Sequence, residues 1–530
     1  MDAATVVTLP GDDLGRPSPC GFSSRVCEVV TPSAFEAGRQ RPDSITRNTA
    51  FFFLAQLTGA AFTAGLTIFL ARALGSKGYG LLSLALGIAG LVTLFSDFGV
   101  ANSVARFVAE HRRDHGRVAM VLADGLRMKL VASVTISALL FALAGPIASA
   151  YEIHGLVWPI RGAALALFGQ SLMMMGAVFV ATARADLQWR TALAESAVET
   201  TASIGLVLAG AGATGAAFGQ ALGYLVGGTL TIFLLVRLLG SAILPRGVRF
   251  GADARRIATY ASILLIVDGA YTAFNQVDVL IIGSYLGASS VGVFSAPMRL
   301  IGFLAYPGRA VANGVAPRLA RSAHTEPNVS AFLTALRLLL IIQAAITAFV
   351  LGWSPLLVKI GLGDGFRESA SVLRALAPFV FLSGFGSLVS VSANYLGEAR
   401  RRIPVAIMTV LVNLVLDLVL VPRIGVIGGC VGTDVAYAVY APAHLFICQR
   451  ALQIDLQPAA RTFIRTTLAG AAMTGILILF GDSLSRFWLI PLGGVAGVVV
   501  FAAVLWVTGE VSASEARAAL AGIPVARRLL

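Results

Sequence analysis

Polar and charged side chains recur at helical spacing inside one long apolar segment near the middle of the chain. Asp268 and Asn275 are two helical turns apart and share a face, and Asp278 lies near Asn275, with Gln276 beside it. Such a stripe could line a water-filled cavity, or Asn275 and Gln276 could simply hydrogen-bond a neighbouring helix. The two carboxylates favour the cavity, because a charge in lipid costs several kcal/mol.

A single arginine, Arg299, lies near the middle of the next apolar segment, beside Pro297. A buried guanidinium requires an anion, which here is a phosphate, a carboxylate of a ligand, or a partner such as Asp278. Contact with a ligand and a structural salt bridge are equally well supported. Further candidates for a cavity lie in other apolar segments: Asp97, Asn413, Asp417 and Asp434, and with less support Arg106 and Arg72. Arg106 and Arg72 lie near helix ends, where snorkelling to the interface is the favoured explanation.

The composition indicates that these residues are held by membrane-spanning helices. The chain has 530 residues, of which 57% are hydrophobic and 13% are charged, and its mean hydropathy is +0.83. Soluble domains contain about 25% charged residues, so a string of soluble domains is excluded. The fold class that remains is an all-α, polytopic membrane protein.

Apolar segments recur at a near-regular interval and predict about fourteen transmembrane helices. Most are close to the ~20 residues that cross the hydrocarbon core. The segments are 50–72, 80–108, 118–144, 156–181, 192–210, 214–236, 257–283, 289–312, 332–358, 370–396, 403–421, 428–449, 462–481 and 487–508. Within 214–236, glycines at every fourth position predict a flat face for close helix packing: Gly215, Gly219, Gly223 and Gly227.

The net charge of +13 is explained by topology. When successive loops are assigned to opposite sides of the membrane, 27 of the 40 Lys and Arg residues fall on one side and 8 on the other. Positive charge collects on the cytoplasmic side, so both termini are predicted to be cytoplasmic, in a multi-pass protein of the inner membrane. The basic residues therefore do not indicate a nucleic-acid partner, and the bilayer is the expected surroundings.

A shift of 212 positions reveals an internal repeat. Leu74-Gly75, Gly80 and Ser83 align with Leu286-Gly287, Gly292 and Ser295. Helices 1–6 and 7–12 are then two parallel six-helix halves, an arrangement of transporters that bind substrate between the halves. The predicted organisation is a flexible cytoplasmic tail, two halves, two extra C-terminal helices and a cytoplasmic tail: 1–49, 50–236, 257–450, 462–508 and 509–530.

Motifs for catalysis or nucleotide binding do not occur in the sequence. It contains no GxxxxGK[ST], GxSxG or HExxH. The outside loops are short, so no folded outside domain is expected. We therefore expect no enzyme, no metal site and no cofactor. A membrane-embedded polysaccharide polymerase or ligase remains an unfavoured alternative.

The order of several motifs resembles the polysaccharide exporter branch, which includes O-antigen-type flippases, of the multidrug/oligosaccharidyl-lipid/polysaccharide superfamily. An R-x-L-G-x-x-x-Y-G turn corresponds to Arg72–Gly80, and a D-F-G-[LV] element followed by R-x-x-A-E to Asp97–Glu110. In the second half, Gln276-Val277-Asp278 and the residues up to Gly292 resemble the family's hairpin of helices 7 and 8. The likeness spans roughly residues 45 to 450.

The resemblance implies a flippase that moves a polyprenyl-diphosphate-linked oligosaccharide by alternating access. Under this hypothesis Arg299 contributes to binding the anionic headgroup. Asp268 or Asp278 would couple transport to an H⁺ or Na⁺ gradient, because buried carboxylates can titrate near neutral pH. A polysaccharide polymerase is a further partner to consider. The alternatives that remain are a cation-coupled multidrug exporter of the same superfamily and a lipid II flippase.

Overall fold

The computed structural model describes residues 43–97, 99–111, 114–182, 184–245, 247, 250–315, 319, 327–481 and 489–512. Residues 1–42 and 513–530, which make up most of the two predicted tails, lie outside the described residues. The side chains of Asp97 and Asp268, two of the predicted site residues, also lie outside them.

Over this part the chain is helical, with sixteen α-helices and short 3₁₀ and π turns between some of them. We number them α1 Asp43–Asp97, α2 Val100–Glu110, α3 His115–Ala150, α4 Val157–Met173, α5 Ala177–Ala181, α6 Ala185–Leu206, α7 Gly212–Leu239, α8 Ala252–Leu304, α9 Tyr306–Val315, α10 Val329–Gly361, α11 Ser369–Ala375, α12 Ala377–Tyr395, α13 Ala399–Ile424, α14 Val426–Leu452, α15 Gln457–Phe480 and α16 Leu489–Val507.

The predicted class, a polytopic all-α membrane protein with about fourteen spans, is confirmed. By length and apolar composition, ten helical stretches of the described chain can cross a membrane. Three of the ten are broken in two by a glycine with a positive φ: at Gly75, at Gly210 and at Gly287. With α14, which is somewhat more polar, the helical limbs follow the order of the fourteen predicted segments.

Several predicted helices are shorter or more broken than the hydropathy suggested. The segment 80–108 divides where Gly99 adopts the left-handed conformation (φ 71°) before α2. The segment 370–396 divides at Leu376, between α11 and α12. Hydropathy measures how apolar a stretch is and does not register such local changes of direction.

The tight turns of α1 and α8 have the same backbone geometry. Gly75 has φ 64° and ψ −177°, and Gly287, 212 positions later, has φ 78° and ψ −178°. A side chain at either position would be strained, because L residues rarely adopt a positive φ. Each glycine therefore ends one limb and starts the next, as the repeat predicts. The division into halves itself stays a prediction.

The second limbs of α1 and α8 cross in backbone contact just beyond these turns. A Cβ atom on Gly80 would overlap the Ala288 carbonyl oxygen, and a Cβ atom on Gly292 would overlap the Ser76 carbonyl oxygen. Only glycine allows this approach. Ser76 Oγ lies 3.2 Å from Ser289 Oγ at the same crossing. The two predicted halves are therefore in contact at the end of the molecule that carries Gly75 and Gly287.

Helix α8 joins the two predicted halves. Near its start, Asp253 accepts a hydrogen bond from Arg117 of α3 at 2.8 Å, and Ile257 packs in a cluster of first-half residues. Further along, Asp278 contacts α13 and α14 of the second half. The helix thus begins against one half and continues against the other.

The C-terminal helices α15 and α16 pack on α10. Trp353 of α10 donates its indole N–H to the Leu477 carbonyl at 2.9 Å. Beyond α16, the Glu510 carboxylate accepts hydrogen bonds from Arg337 (2.8 Å), Thr462 (2.8 Å) and Arg465 (3.1 Å). Burial acts to raise the pKa of Glu510, but these hydrogen bonds and the charge of Arg337 together lower it below its ordinary value. Glu510 therefore connects α10, α15 and the segment that follows α16.

Candidate functional site

A polar cavity of about 330 Å³ contains Arg299. Its walls come mainly from α1, α6 and α7 of the predicted first half, and Arg299 enters from the second limb of α8. The side chain therefore reaches from one predicted half into a cavity of the other. The remaining polar side chains that line it are Thr63, Thr67, Tyr79, Ser83, Glu195, Ser196, Glu199, Thr200, Ser203, Gln220 and Tyr224.

The glycine face of α7 positions the acidic wall of this cavity. A Cβ atom on Gly223 would lie 2.6 Å from Glu199 Cβ, and one on Gly227 would lie 2.8 Å from Glu195 Cβ. Gly219 is in equally close contact with Ser203. Helices α6 and α7 therefore pack at close range, which confirms the packing role predicted for these glycines.

Glu195 and Glu199 form a carboxyl pair one turn apart on α6. Their carboxyl groups lie within hydrogen-bonding reach of each other. Ser196 Oγ donates to Glu195 Oε2 at 2.9 Å. Two facing carboxyls in a low-dielectric site resist double ionisation. The pair can therefore take up and release a proton.

Arg299 interacts electrostatically with this acidic wall. It lies beside the Tyr79 hydroxyl, which is also near Thr67, and its charge acts on Glu199. Its side chain is nevertheless exposed to the cavity, and among the described ion pairs none joins Arg299 to a carboxylate. The guanidinium thus lies next to Tyr79 in the cavity wall, and its N–H groups are of the kind that bind an anion.

A second group of buried carboxylates lies where α8, α13 and α14 meet. Asp278 Oδ1 accepts hydrogen bonds from Asn413 Nδ2 at 3.0 Å and from Thr433 Oγ1 at 3.1 Å. Asp417 faces Asp278 within hydrogen-bonding reach. Gly432 leaves room for Asp417, since a Cβ atom there would overlap its Oδ1. We call these four side chains (Asp278, Asn413, Asp417 and Thr433) the carboxylate cluster.

The carboxylate cluster has more acceptors than donors. Within the described part of the chain, no donor reaches either oxygen of Asp417 or Oδ1 of Asn413, although Asp278, Asn413 and Asp417 are at most 2% exposed. Buried acceptors without donors are costly. A shared proton or a small hard cation such as Na⁺, which oxygen ligands suit, would satisfy them.

The structure thus brings together three of the predicted site residues, Asp278, Asn413 and Asp417, in a cluster that lies outside the cavity of Arg299. Asn275 is exposed and donates to the Tyr271 carbonyl at 2.7 Å. Gln276 packs against α1, where Gly87 and Gly90 accommodate it. Their cavity roles stay predictions.

Three further predicted residues, Arg106, Arg72 and Asp434, have partners within the protein. Arg106 forms a salt bridge with Glu110 one turn away, at 3.0 Å. Arg72 donates to the Ile360 carbonyl. Asp434 accepts the Phe379 backbone N–H at 2.9 Å and so caps the start of α12.

Sequence reasoning did not single out Glu195 and Glu199. Their signal was present, since two carboxylates one turn apart in an apolar segment occupy one helical face. Sequence reasoning also did not single out three residues of a second cavity, of about 420 Å³, in the predicted second half: Arg309, Arg402 and His444.

These features define a class of protein, a multi-pass, all-α membrane protein with polar cavities between its helices. The fold agrees with solved transporters. The lipid II flippase MurJ in an inward closed conformation matches with a TM-score of 0.67 and 13% identity, over 86% of this chain and 98% of that chain. An inward-facing multidrug resistance MATE family transporter of the MOP superfamily matches with a TM-score of 0.58 and 17% identity, over 74% of this chain and 95% of that chain.

Residues 45–306 match the family described as polysaccharide biosynthesis protein. A probable low-salt glycan biosynthesis flippase of Haloferax volcanii is 22% identical over 454 residues, 82% of this chain and 90% of the relative. A putative O-antigen transporter of Shigella flexneri is 20% identical over 371 residues, 69% of this chain and 88% of the relative. The family predicted from the motifs is confirmed.

Proposed function

We propose that the protein moves a polyprenyl-diphosphate-linked oligosaccharide from the cytoplasmic to the outer leaflet of the inner membrane, for surface polysaccharide synthesis. The observation that carries the proposal is Arg299, a cation exposed to a polar cavity within membrane-spanning helices. The names of the flippase and O-antigen transporter relatives support the same substrate class.

The diphosphate is the part of such a substrate that cannot cross hydrocarbon unaided. Arg299 offers it a guanidinium, whose planar N–H groups suit phosphate oxygens, while the polyprenyl tail stays in the bilayer. The contact between the halves at Gly80 and Gly292 closes the molecule at one end. With both termini cytoplasmic, that end faces outward, and rocking of the halves about this contact moves the site from one side to the other.

The Glu195–Glu199 pair controls the charge of the site. With one proton on the pair, its remaining charge and that of Arg299 balance. When a second proton binds, both carboxyls are neutral and Arg299 gives this wall a net positive charge. That charge favours binding of an anion. Both carboxyls lie in the wall that Arg299 faces, together with the Tyr79 and Tyr224 hydroxyls and the amide of Gln220. Binding of the headgroup is therefore linked to uptake of a proton.

The carboxylate cluster is the site of ion coupling. Its four oxygen-bearing side chains come from three helices, so a bound Na⁺ or a shared proton changes how α8, α13 and α14 pack. An ion gradient can drive the transport cycle through this change. The protein performs no covalent chemistry in this cycle, and a polysaccharide polymerase that accepts the translocated unit is its expected partner.

The test is flipping of lipid-linked oligosaccharide by purified protein in liposomes, followed by accessibility of the glycan to a membrane-impermeant lectin. We expect Arg299→Gln to lower the rate about tenfold or more, since a charge-assisted contact is worth roughly 1.5–3 kcal/mol. Arg367→Gln is the matched control, because Arg367 is exposed and lies outside both cavities. A wild-type rate for Arg299→Gln, at equal amounts of protein in the liposomes, would refute its role.

A second candidate function is export of cationic drugs. The specific observation in its favour is the acidic pair Glu195 and Glu199 in the cavity wall, because a cationic drug requires an acidic partner. Ethidium efflux from cells that produce the protein distinguishes the two candidates. Glycan flipping without ethidium efflux supports the flippase, and ethidium efflux abolished by Glu199→Gln supports the drug exporter.

A further inference from the structure

The second cavity, of about 420 Å³, differs from the first in its charge. The first has two carboxyls and one arginine in its wall. The described residues that line the second include two arginines, Arg309 and Arg402, and a histidine, His444, but no carboxylate. We call it the basic cavity. It is formed by α8, α9, α12, α13 and α14, and an anion is the ligand that its charge attracts.

Arg402 is held in a fixed orientation. It donates from Nε to His444 Nε2 at 3.3 Å, from one terminal nitrogen to Asn394 Oδ1, and from the other to Ser390 Oγ at 2.7 Å. His444 is fully buried, and its Nδ1 bonds the Tyr440 carbonyl oxygen at 2.9 Å. The three hydrogen bonds of Arg402 use three of the five N–H groups of its guanidinium. Two N–H groups remain for a ligand.

Arg309 contributes a second cation from α9. Its guanidinium lies 5.2 Å from the centre of the Tyr306 ring, and it makes a long hydrogen bond of 3.5 Å to the Gly302 carbonyl. The side chain is exposed, and no described carboxylate forms an ion pair with it. Arg309 is therefore free to turn toward an anion, whereas Arg402 is already oriented.

Aromatic rings and small polar groups complete the basic cavity. Tyr271, Phe274, Tyr437 and Tyr440 line it together with Ser387, Ser390 and Asn394. Flat rings pack against the apolar faces of sugars, and serine, asparagine and tyrosine bond their hydroxyl groups. The volume lies in the range of small-ligand sites, about 300–1,000 Å³.

We infer that the basic cavity is a second headgroup site, in which Arg309 and Arg402 bind an anionic group and the aromatic rings contact an adjoining sugar. This inference rests on the proposed function and extends it. The anionic group is either the diphosphate of the carrier or the carboxylate of an acidic sugar, and both present the oxygen acceptors that guanidinium groups bind.

Binding of soluble probes to the purified, full-length protein tests the inference without requiring transport. The probes are farnesyl diphosphate, trigalacturonate and, as a neutral sugar, maltotriose, each titrated by calorimetry in detergent. We expect Arg309→Gln and Arg402→Gln to weaken binding of one anionic probe about tenfold each, the loss of one charged contact. The probe that responds identifies the source of the anion, and maltotriose binding should not change.

Arg402 also connects three helices, so its replacement can disturb the fold. Arg402→Lys keeps the charge and should bind the anionic probe more tightly than Arg402→Gln. Arg309→Gln is the cleaner variant, because Arg309 has few contacts, and Arg367→Gln again serves as the control.

Wild-type affinity of Arg309→Gln and Arg402→Gln for both anionic probes would overturn the inference, as would failure of both probes to bind wild-type protein. If wild-type protein binds an anionic probe but flips no lipid-linked oligosaccharide, the proposed function fails and the anion site stands.

Discussion

At the scale of residues, charge is distributed unequally between three buried sites. Carboxyls predominate around Arg299, three oxygen-bearing side chains surround Asp278, and arginines predominate in the basic cavity. Unpaired charge in the membrane is costly, so each site requires a compensating ion or ligand. Under the proposed function, this separation keeps a bound anion and a coupling cation from attracting each other directly.

The carboxylate cluster gives a prediction about coupling. Asp417→Asn keeps the shape of the side chain but removes a charge, so a gradient of the coupling ion should no longer change the flipping rate. The measurement is flipping in liposomes with an imposed Na⁺ or H⁺ gradient. Asp434→Asn is the matched control, because Asp434 lies on the neighbouring α14 and caps α12. A rate of wild-type protein that responds to neither gradient would contradict the coupling role.

Glu510 gives a prediction about pH. Its pKa is lowered in the folded protein, so its contribution to stability is present above its ordinary value of 4.5 and is lost as the pH falls through the folded value. Glu510→Gln should lower the melting temperature at pH 7 and flatten the pH dependence below 4.5. Thermal unfolding in detergent, with the exposed Glu368→Gln as control, measures both effects. Equal pH profiles for Glu510→Gln and wild type would disprove this contribution of Glu510 to stability.

At the scale of elements, hydropathy predicted most of the helices, because the membrane thickness sets the length of an apolar segment. The spacing of Asp268, Asn275 and Asp278 predicted a shared face but could not identify the facing helix. Asp278 meets Asn413, 135 positions away, and helical periodicity contains no information about such neighbours. For the same reason the sequence did not indicate that Arg402 lines a cavity.

The crossing of α1 and α8 gives a prediction for single glycines. Gly80→Ala places a methyl group against the Ala288 backbone, which cannot give way as a flexible side chain would. We expect a loss of about 1–3 kcal/mol in stability. Gly65→Ala, in the same helix with open space around it, should be neutral or stabilising, since alanine favours helix. Thermal unfolding of both variants compares them, and equal melting temperatures would argue against tight contact at the crossing.

At the scale of the whole molecule, alternating access requires the contact between the halves to open. Ser76 Oγ and Ser289 Oγ are 3.2 Å apart at this contact. After replacement of the four native cysteines, Ser76→Cys with Ser289→Cys should form a disulfide under oxidising conditions and stop flipping. Reduction should restore it.

The single variants Ser76→Cys and Ser289→Cys control for effects of the substitutions themselves and should flip normally in both conditions. If the oxidised double variant, with its disulfide verified by mass spectrometry, flips at the wild-type rate, the contact does not open during transport.

The contacts of Gly80 and Gly292 are reciprocal. Gly80 meets Ala288 and Gly292, and Gly292 meets Ser76 and Gly80, each pair being related by 212 positions. This is the pattern of an isologous interface, in which each subunit of a symmetric dimer presents the same patch to the other. A half-length chain with one copy of this turn would place its glycine against the same glycine of a second molecule. The crossing therefore has the local two-fold symmetry of a contact between two identical subunits.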